Sequence, residues 1–299
     1  MKNKMGLLAR GALLLTALIW GTSFVILKNM LDNIGTFWIM ALRFSIAAII
    51  FSAVGINNLH NLNRETLLGG VVAGTFLAVA YLIQTFGLSF TTPGKNAFLT
   101  ATYCVLVPFM VWAFYRHKPG AHNIVAAFLC IAGIGFVSLN EGFGNVNIGD
   151  VLTLVCGLFY ALQIIAVDSV IDKANSAALT AIQFITAALL CWIGALTVEA
   201  PPASISAGEW IQIIYMGAAC TGLGFFLQAW GMKYTPASTA AVIMTLEAVF
   251  GALCSVIFYD DRLTVQLIIG FVLIFVSVVM SETGFEPFEK VLYKLKGEK

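Results

Sequence analysis

The chain has 299 residues, of which 60% are hydrophobic and only 10% charged, and its mean hydropathy is +0.93. Soluble domains contain about 45–50% apolar and about 25% charged residues, so a chain of this composition would expose large apolar patches to water. A formal net charge of +1 provides no basic surface for nucleic acid. Disordered chains are far less hydrophobic, and collagen requires a glycine period. The composition indicates an integral membrane protein.

Ten stretches are long and apolar enough to cross a bilayer, which takes roughly 20 residues in a helix. A β-barrel strand would alternate polar and apolar residues, and the run from Ile268 to Met280 does not. The basic N-terminus followed by three leucines resembles a secretory signal, but without a cleavage pattern it is predicted to be the first membrane helix. The sequence predicts an all-α membrane protein with helices over 8–27, 36–55, 67–87, 96–115, 122–139, 150–170, 177–197, 210–231, 237–258 and 263–281.

Basic residues predict the orientation, because loops rich in Lys and Arg remain in the cytoplasm. One predicted side carries only Lys28, Lys95 and Arg262, and Arg43 lies within a span. The other side carries twelve basic residues: Lys2, Lys4, Arg10, Arg64, Arg116, Lys118, Lys173, Lys233, Lys290, Lys294, Lys296 and Lys299. We therefore expect a multi-pass protein of the plasma or inner membrane with both termini in the cytoplasm. Its C-terminal tail, which is mixed in charge, should be held near anionic lipid by Lys290, Lys294 and Lys296.

The chain contains an internal repeat. Residues 41–50 match residues 181–190 at an offset of 140, with four of ten positions identical. A second match at an offset of 144 pairs Gln84, Gly87, Thr91, Ala97, Phe114 and Tyr115 with Gln228, Gly231, Thr235, Ala241, Phe258 and Tyr259. Chance similarity between apolar helices is the alternative. Five spans per unit is an odd number, so the copies should have opposite orientations, an arrangement found in many secondary transporters. This predicts two inverted five-helix repeats, 1–140 and 141–282, and a cytoplasmic tail, 283–299.

Several motifs resemble those of EamA-type members of the drug/metabolite transporter (DMT) superfamily. Residues 18–24 (LIWGTSF) resemble the family's first-helix signature, and Arg43-Phe44 is similar to its Arg-Phe pair in the second helix. Residues 245–250 (TLEAVF) followed by 261–263 (DRL) resemble a Leu-Glu-Pro-Val-Phe and Glu-Arg-Leu stretch. Ala248 stands where the family has Pro, and Asp261 where it has Glu.

This resemblance covers about residues 8–282, although the first repeat has 116–119 (RHKP) in place of an acidic stretch after Val107-Pro108-Phe109. It implies ten helices in two inverted five-helix repeats. It also implies export or exchange of small organic solutes, a class that includes amino acids, purines, sugars, nucleotide sugars and drugs.

Two ionisable residues lie deep within predicted spans, where charged groups are rare and usually functional. Glu247 is near the middle of the ninth span and is predicted to carry a proton or to bind a substrate amine. Arg43 lies about 11 Å into the second span at about 1.5 Å per residue, and is predicted to bind an anionic group. A packing role, with backbone carbonyls or neutral side chains as partners, is the alternative for each.

Polar and aromatic residues at helical spacing predict a central cavity between spans one, three, four, six, eight and nine. Hydrogen bonds that only join helices are the alternative. Together with Glu247, the candidate substrate-binding residues are Trp20, Ser23, Tyr81, Gln84, Asn96, Thr100, Tyr103, Tyr160, Gln163 and Gln228.

No histidine lies deep in a span, and neither a nucleophile-elbow nor a phosphate-loop motif is present. The six cysteines lack the spacing of a metal site. We therefore predict a secondary transporter without enzyme activity, cofactor or metal, which exports or exchanges a small metabolite by alternating access. Proton or solute counter-transport, and a monomer or a homodimer, are left open. The alternatives are a membrane-embedded enzyme or scaffold and an uncoupled facilitator.

Overall fold

The computed structural model describes residues 2–54, 62–139, 147–170, 173–235 and 237–285, and every regular element in these ranges is helical. The helices are α1 (Lys2–Met30), α2 (Thr36–Val54), α3 (Arg64–Phe90), α4 (Pro93–Tyr115), α5 (Ala121–Ser138), α6 (Ile148–Asp168), α7 (Ser176–Thr197), α8 (Ala207–Tyr234), α9 (Ala237–Tyr259) and α10 (Val265–Thr283). In the described ranges, nine are long and apolar enough to cross a membrane, and the tenth, α9, is apolar over Val242–Phe258. The predicted all-α membrane fold is confirmed. The tail beyond residue 285 lies outside the described residues.

Side-chain caps explain why several helices begin before the predicted spans do. The Asn63 side chain accepts from the backbone N–H of Thr66, and Asn175 caps α7 in the same way. Ser206 and Glu209 form a reciprocal capping box at the start of α8. These polar residues bind the first free N–H groups of each helix, but they also lower the local hydropathy. A prediction based on hydropathy therefore places the start of the helix a few residues too late.

The helices pack in a scheme that is the same for both halves of the chain. Helix α3 packs on α6 and α7, and its equivalent α8 packs on α1 and α2. The α1–α9 contact corresponds to the α6–α4 contact, while α2–α7 and α5–α10 each pair two equivalent helices. Phe44 and Phe184, equivalent at the offset of 140, are both buried and stack with ring centroids 6.2 Å apart. Exchanging α1–α5 with α6–α10 therefore leaves the principal contacts unchanged, which shows two five-helix repeats.

Glycines at equivalent places let the repeats approach closely. A Cβ added at Gly74 would lie 2.6 Å from the Gln183 carbonyl oxygen. One added at Gly217 would lie 3.0 Å from the carbonyl oxygen of Arg43, the residue equivalent to Gln183. The Cβ at Gly217 would also lie 2.6 Å from Ile46 Cβ. Any larger residue would push these helices apart, because real Cβ atoms essentially never approach other atoms closer than 3.0 Å.

Helix α8 differs from α3 in one respect, a π-helical segment over Tyr215–Leu223. Gly74 and Gly217 are 143 residues apart in the sequence, whereas Gly87 and Gly231, which pack on the equivalent helices α6 and α1, are 144 apart. The second repeat thus holds one extra residue between these two contacts. The wider turns of the π segment absorb this residue and keep both contacts in place.

Candidate functional site

A cavity of about 410 Å³ lies between α1, α4, α6, α8, α9 and α10. Sites for small organic molecules typically have volumes of about 300–1,000 Å³. Met232 and Glu282, both exposed, line it at the ends of α8 and α10, the end of the bundle where α1 begins. We call this the N-terminal end, and the cavity opens towards it. The lining residues are Trp20, Ala97, Thr100, Ala101, Tyr103, Cys104, Val107, Ile164, Gln228, Met232, Ala240, Met244, Thr245, Glu247, Ala248, Val278 and Glu282.

The cavity gathers five of the candidate residues, which are Trp20, Thr100, Tyr103, Gln228 and Glu247. The lining does not include the other candidates, which are Ser23, Arg43, Tyr81, Gln84, Asn96, Tyr160 and Gln163. Helix α3, predicted to line the cavity, lies behind it, and α10, which was not predicted, supplies Val278 and Glu282. Sequence spacing could not detect α10, because its lining residues fall in the last turns of an almost wholly apolar helix.

The carboxylate of Glu247 faces the cavity. Tyr103, its equivalent in the first repeat at an offset of 144, lines the same space. Within the described residues the structure gives the Glu247 carboxylate no hydrogen bond and no ion pair, and Arg43 acts on it only through a longer-range charge interaction. A carboxyl group with this surrounding is available to a bound solute, since it is not already used to join helices.

Arg43 is held by protein groups behind the cavity. Its side chain is 3% exposed, its Nε donates to Thr221 Oγ1 at 2.8 Å, and its guanidinium carbon lies 4.6 Å from the centre of the Tyr81 ring. Thr221 in turn donates to the carbonyl oxygen of Met216, five residues earlier in the π segment. At the equivalent place in the second repeat, Gln183 accepts from Gln163 at 2.9 Å. These contacts tie α2 to α8 and α7 to α6.

Gln84 belongs to a buried network that joins α3, α4 and α6. Its Nε2 donates to Thr100 Oγ1 at 2.9 Å, and its Oε1 accepts from the Tyr160 hydroxyl at 2.8 Å. Asn96 donates to Thr153 Oγ1 at 2.7 Å and to the Gln84 carbonyl oxygen at 3.3 Å. Asn96 Oδ1 is buried without a hydrogen-bond partner among the described residues, and the other hydrogen bonds of the network position the wall of the cavity that carries Thr100.

Two helix irregularities bring backbone carbonyls to side chains beside the cavity. The indole N–H of Trp20 donates to the Cys220 carbonyl oxygen of the π segment at 2.6 Å. Pro108 lacks the N–H that would bond the Cys104 carbonyl oxygen, which accepts instead from the Ser281 hydroxyl at 3.3 Å. Irregular backbone is tolerated at membrane depth only where it is buried in protein or lines a cavity.

Polar ties close the end of the bundle opposite to the N-terminal end. Lys95 Nζ lies 3.7 Å from Asp150 Oδ2, with side-chain exposures of 5% and 0%, and Thr91 donates to Asp150 Oδ1 at 2.6 Å. The ammonium of Lys28 donates to the carbonyl oxygens of Leu88, Ser89 and Thr91 at 2.6, 3.0 and 3.1 Å. These ties hold α1, α3, α4 and α6 together. From the sequence, Lys28 and Lys95 indicated only the orientation in the membrane. Their partners could not be predicted, because these are distant in the chain.

The six cysteines are unpaired, and no group of three or more metal-ligating side chains occurs in the described ranges. A membrane bundle of two helical repeats around a solute-sized cavity is the architecture of many multi-pass transporters of small solutes. The profile of the EamA-like transporter family matches residues 7–139 and 147–283, and the chain belongs to that family.

Relatives agree with this assignment. An uncharacterized transporter of Archaeoglobus fulgidus is 31% identical over 90% of this chain and 83% of its own length. A biotin transporter of Salmonella typhimurium is 18% identical over 84% of this chain and 85% of its own. One crystal structure shares the fold with a TM-score of 0.66 at 16% identity, covering 92% of this chain and 96% of the other.

Proposed function

We propose that the protein is a secondary carrier that exports or exchanges a small organic metabolite across the plasma or inner membrane by alternating access. The observation that carries the proposal is the cavity between the repeats, with the Glu247 carboxylate directed into it. Trp20, Tyr103 and Gln228 orient the solute beside that carboxylate. With both termini in the cytoplasm, as the distribution of basic residues predicts, the open end of the cavity would face the cytoplasm.

The distribution of open and closed ends supports alternating access. The N-terminal end admits a solute as far as Glu247, while the Lys95–Asp150 pair and the Lys28 ties close the other end. Because the two repeats use equivalent helix contacts, an exchange of their conformations would close the N-terminal end and open the opposite one.

Transport assays in liposomes test this function. Purified protein would be challenged with amino acids, purines, sugars and cationic dyes, with and without an imposed pH gradient. We expect saturable uptake of at least one class and acceleration of that uptake by unlabelled solute on the other side. If Glu247 carries the proton, Glu247→Gln should lose the response to the pH gradient.

The matched control is Glu209→Gln, which removes a carboxylate from the capping box of α8 outside the cavity lining and preserves the box. It should transport like the wild type. Flux without saturation or exchange would instead indicate a facilitator. Chemical conversion of a supplied solute would indicate an enzyme. Absence of flux for every solute class would contradict the proposal.

A further inference from the structure

Among the described residues, the cavity lining contains two carboxyl side chains and no Lys, Arg or His. Glu247 lies in its deeper part and Glu282 at its mouth. Arg43, the cation that acts on Glu247 at longer range, is held by Thr221 and the face of Tyr81 and is not part of the lining. A solute in the cavity therefore contacts carboxylates directly and the guanidinium only through intervening protein.

The remaining lining suits the apolar body of a cation. Trp20 and Tyr103 present aromatic rings, and Met232 and Met244 present polarisable thioethers. Aromatic faces attract cations through the ring quadrupole, and Met side chains adapt to irregular apolar shapes. The aliphatic and alanine side chains on the rest of the wall provide no further charge.

The cost of removing water from the Glu247 carboxylate argues against a neutral or an anionic solute. With Glu247 ionised, a neutral solute would displace water from its carboxylate without compensating the charge, which is costly in a partly enclosed cavity. An anion would add repulsion to that cost. A cation restores the lost solvation by direct pairing, and the exposed carboxylate at Glu282 would attract it to the mouth.

We propose that the solute is an organic cation, an amine or quaternary ammonium attached to an apolar or aromatic body. Its charge pairs with Glu247 after passing Glu282. This inference rests on the proposed carrier function and specifies the substrate class of the same cavity.

The test compares three phenyl-bearing probes that differ in charge: benzyltrimethylammonium, benzyl alcohol and benzenesulfonate. Binding to the purified full chain in detergent is measured by titration calorimetry, and flux is measured in liposomes. The quaternary probe keeps its charge at every pH, so its binding reports the carboxylates and not its own titration. We expect the cation to bind at least about tenfold more tightly than either other probe, since a charged hydrogen-bonding or ionic partner typically contributes that much.

Variants assign the effect to the cavity. Glu247→Gln and Glu282→Gln should each weaken cation binding, by about tenfold for the deeper residue and less for the exposed one. Glu247→Asp, which retains the charge, should keep the preference for the cation, and Glu209→Gln should bind like the wild type. Size-exclusion profiles establish that each variant is folded.

Equal or tighter binding of the neutral or anionic probe would overturn the inference, as would undiminished cation binding by a folded Glu247→Gln protein or no binding of any probe. Saturable exchange of a neutral or anionic metabolite would refute the cation class alone and leave the carrier function standing. Absence of flux for every solute class would refute both.

Discussion

The two ends of the bundle are built from equivalent helices but are fastened differently. At the closed end Lys28 donates to three backbone carbonyls of the α3–α4 junction, and Lys95 pairs with Asp150. The positions equivalent to Lys28 and Asp150 at the N-terminal end, by the offset of 140, are Asp168 and Arg10, and both are exposed. A carboxylate at 168 cannot donate to carbonyls, so the tie made by Lys28 has no counterpart at that position.

One hydroxyl shows the difference most clearly. Thr91 donates to Asp150, whereas its equivalent Thr235 is buried and its hydroxyl has no hydrogen-bond partner in the part of the chain that the structure describes. Thr239 stands where Lys95 would be. Helix packing is thus common to both ends, while a few polar residues differ between them.

The largest effect should come from removing the buried carboxylate of the closed end. Asp150→Asn removes the negative charge that faces Lys95, and breaking a buried ion pair costs about 3–5 kcal/mol. Thermal unfolding in detergent should show a clearly lower Tm. Asp168→Asn, the matched change at the N-terminal end, should leave the Tm unchanged, because Asp168 is exposed. Equal destabilisation by both variants would refute the assigned difference between the ends.

A second experiment would install the missing tie at the N-terminal end. The double variant Arg10→Asp with Thr239→Lys recreates the Asp150–Lys95 pair there and offers Thr235 a partner for its hydroxyl. We expect the cavity to close from that end, so that a maleimide labels Cys104 in the cavity wall about tenfold more slowly. A tenfold change corresponds to a shift of about 1.4 kcal/mol in the equilibrium between the open and closed conformations. Thr239→Lys alone is the control. Unchanged labelling of the double variant would show that the ties do not control access.

Substitution of the equivalent glutamines, Gln84 and Gln228, should change the free energy of unfolding by different and smaller amounts. Gln84 bonds Thr100 and Tyr160, so Gln84→Leu should lower the free energy of unfolding by about 1–3 kcal/mol through unsatisfied partners. Gln228 faces the cavity, and Gln228→Leu should change stability by less than about 0.5 kcal/mol while raising the KM for the transported solute. Equal loss of stability in the two proteins would contradict the distinct environments.

Deleting one residue, Ala219, from the π segment should disturb stability least. Helix α3 makes both equivalent glycine contacts without that residue, so α8 should become α-helical and the chain should still fold. The deletion would displace the Trp20–Cys220 and Arg43–Thr221 hydrogen bonds. The transport rate should then fall by about tenfold, which corresponds to a rise of about 1.4 kcal/mol in the activation free energy. Deleting Ala203, exposed in the loop before α8, is the control. Misfolding of the Ala219 deletion alone would show that the segment is required for the fold.

Hydropathy and the repeat were sufficient to predict the helices and the two-repeat architecture, because both depend on residue type and order along the chain. The neighbours of each polar side chain could not be predicted. Gln84 and Gln228 are identical residues at equivalent positions, yet one joins three helices and the other lines the cavity. The π segment was missed because a one-residue insertion in an apolar helix leaves the hydropathy unchanged. The repeat boundaries, the orientation of the termini and the roles of the candidate residues stay predictions.

The packing scheme shared by the halves has an energetic consequence for a carrier that works as we propose. Since exchanging the repeats creates no new class of helix contact, most of the packing energy is the same in the two conformations and cancels from their difference. What remains is the difference between the polar ties of the two ends, a gap on the order of a few kcal/mol. A gap of that size is comparable to the binding energy of a single small solute, so occupancy of the cavity is enough to rebalance the two populations.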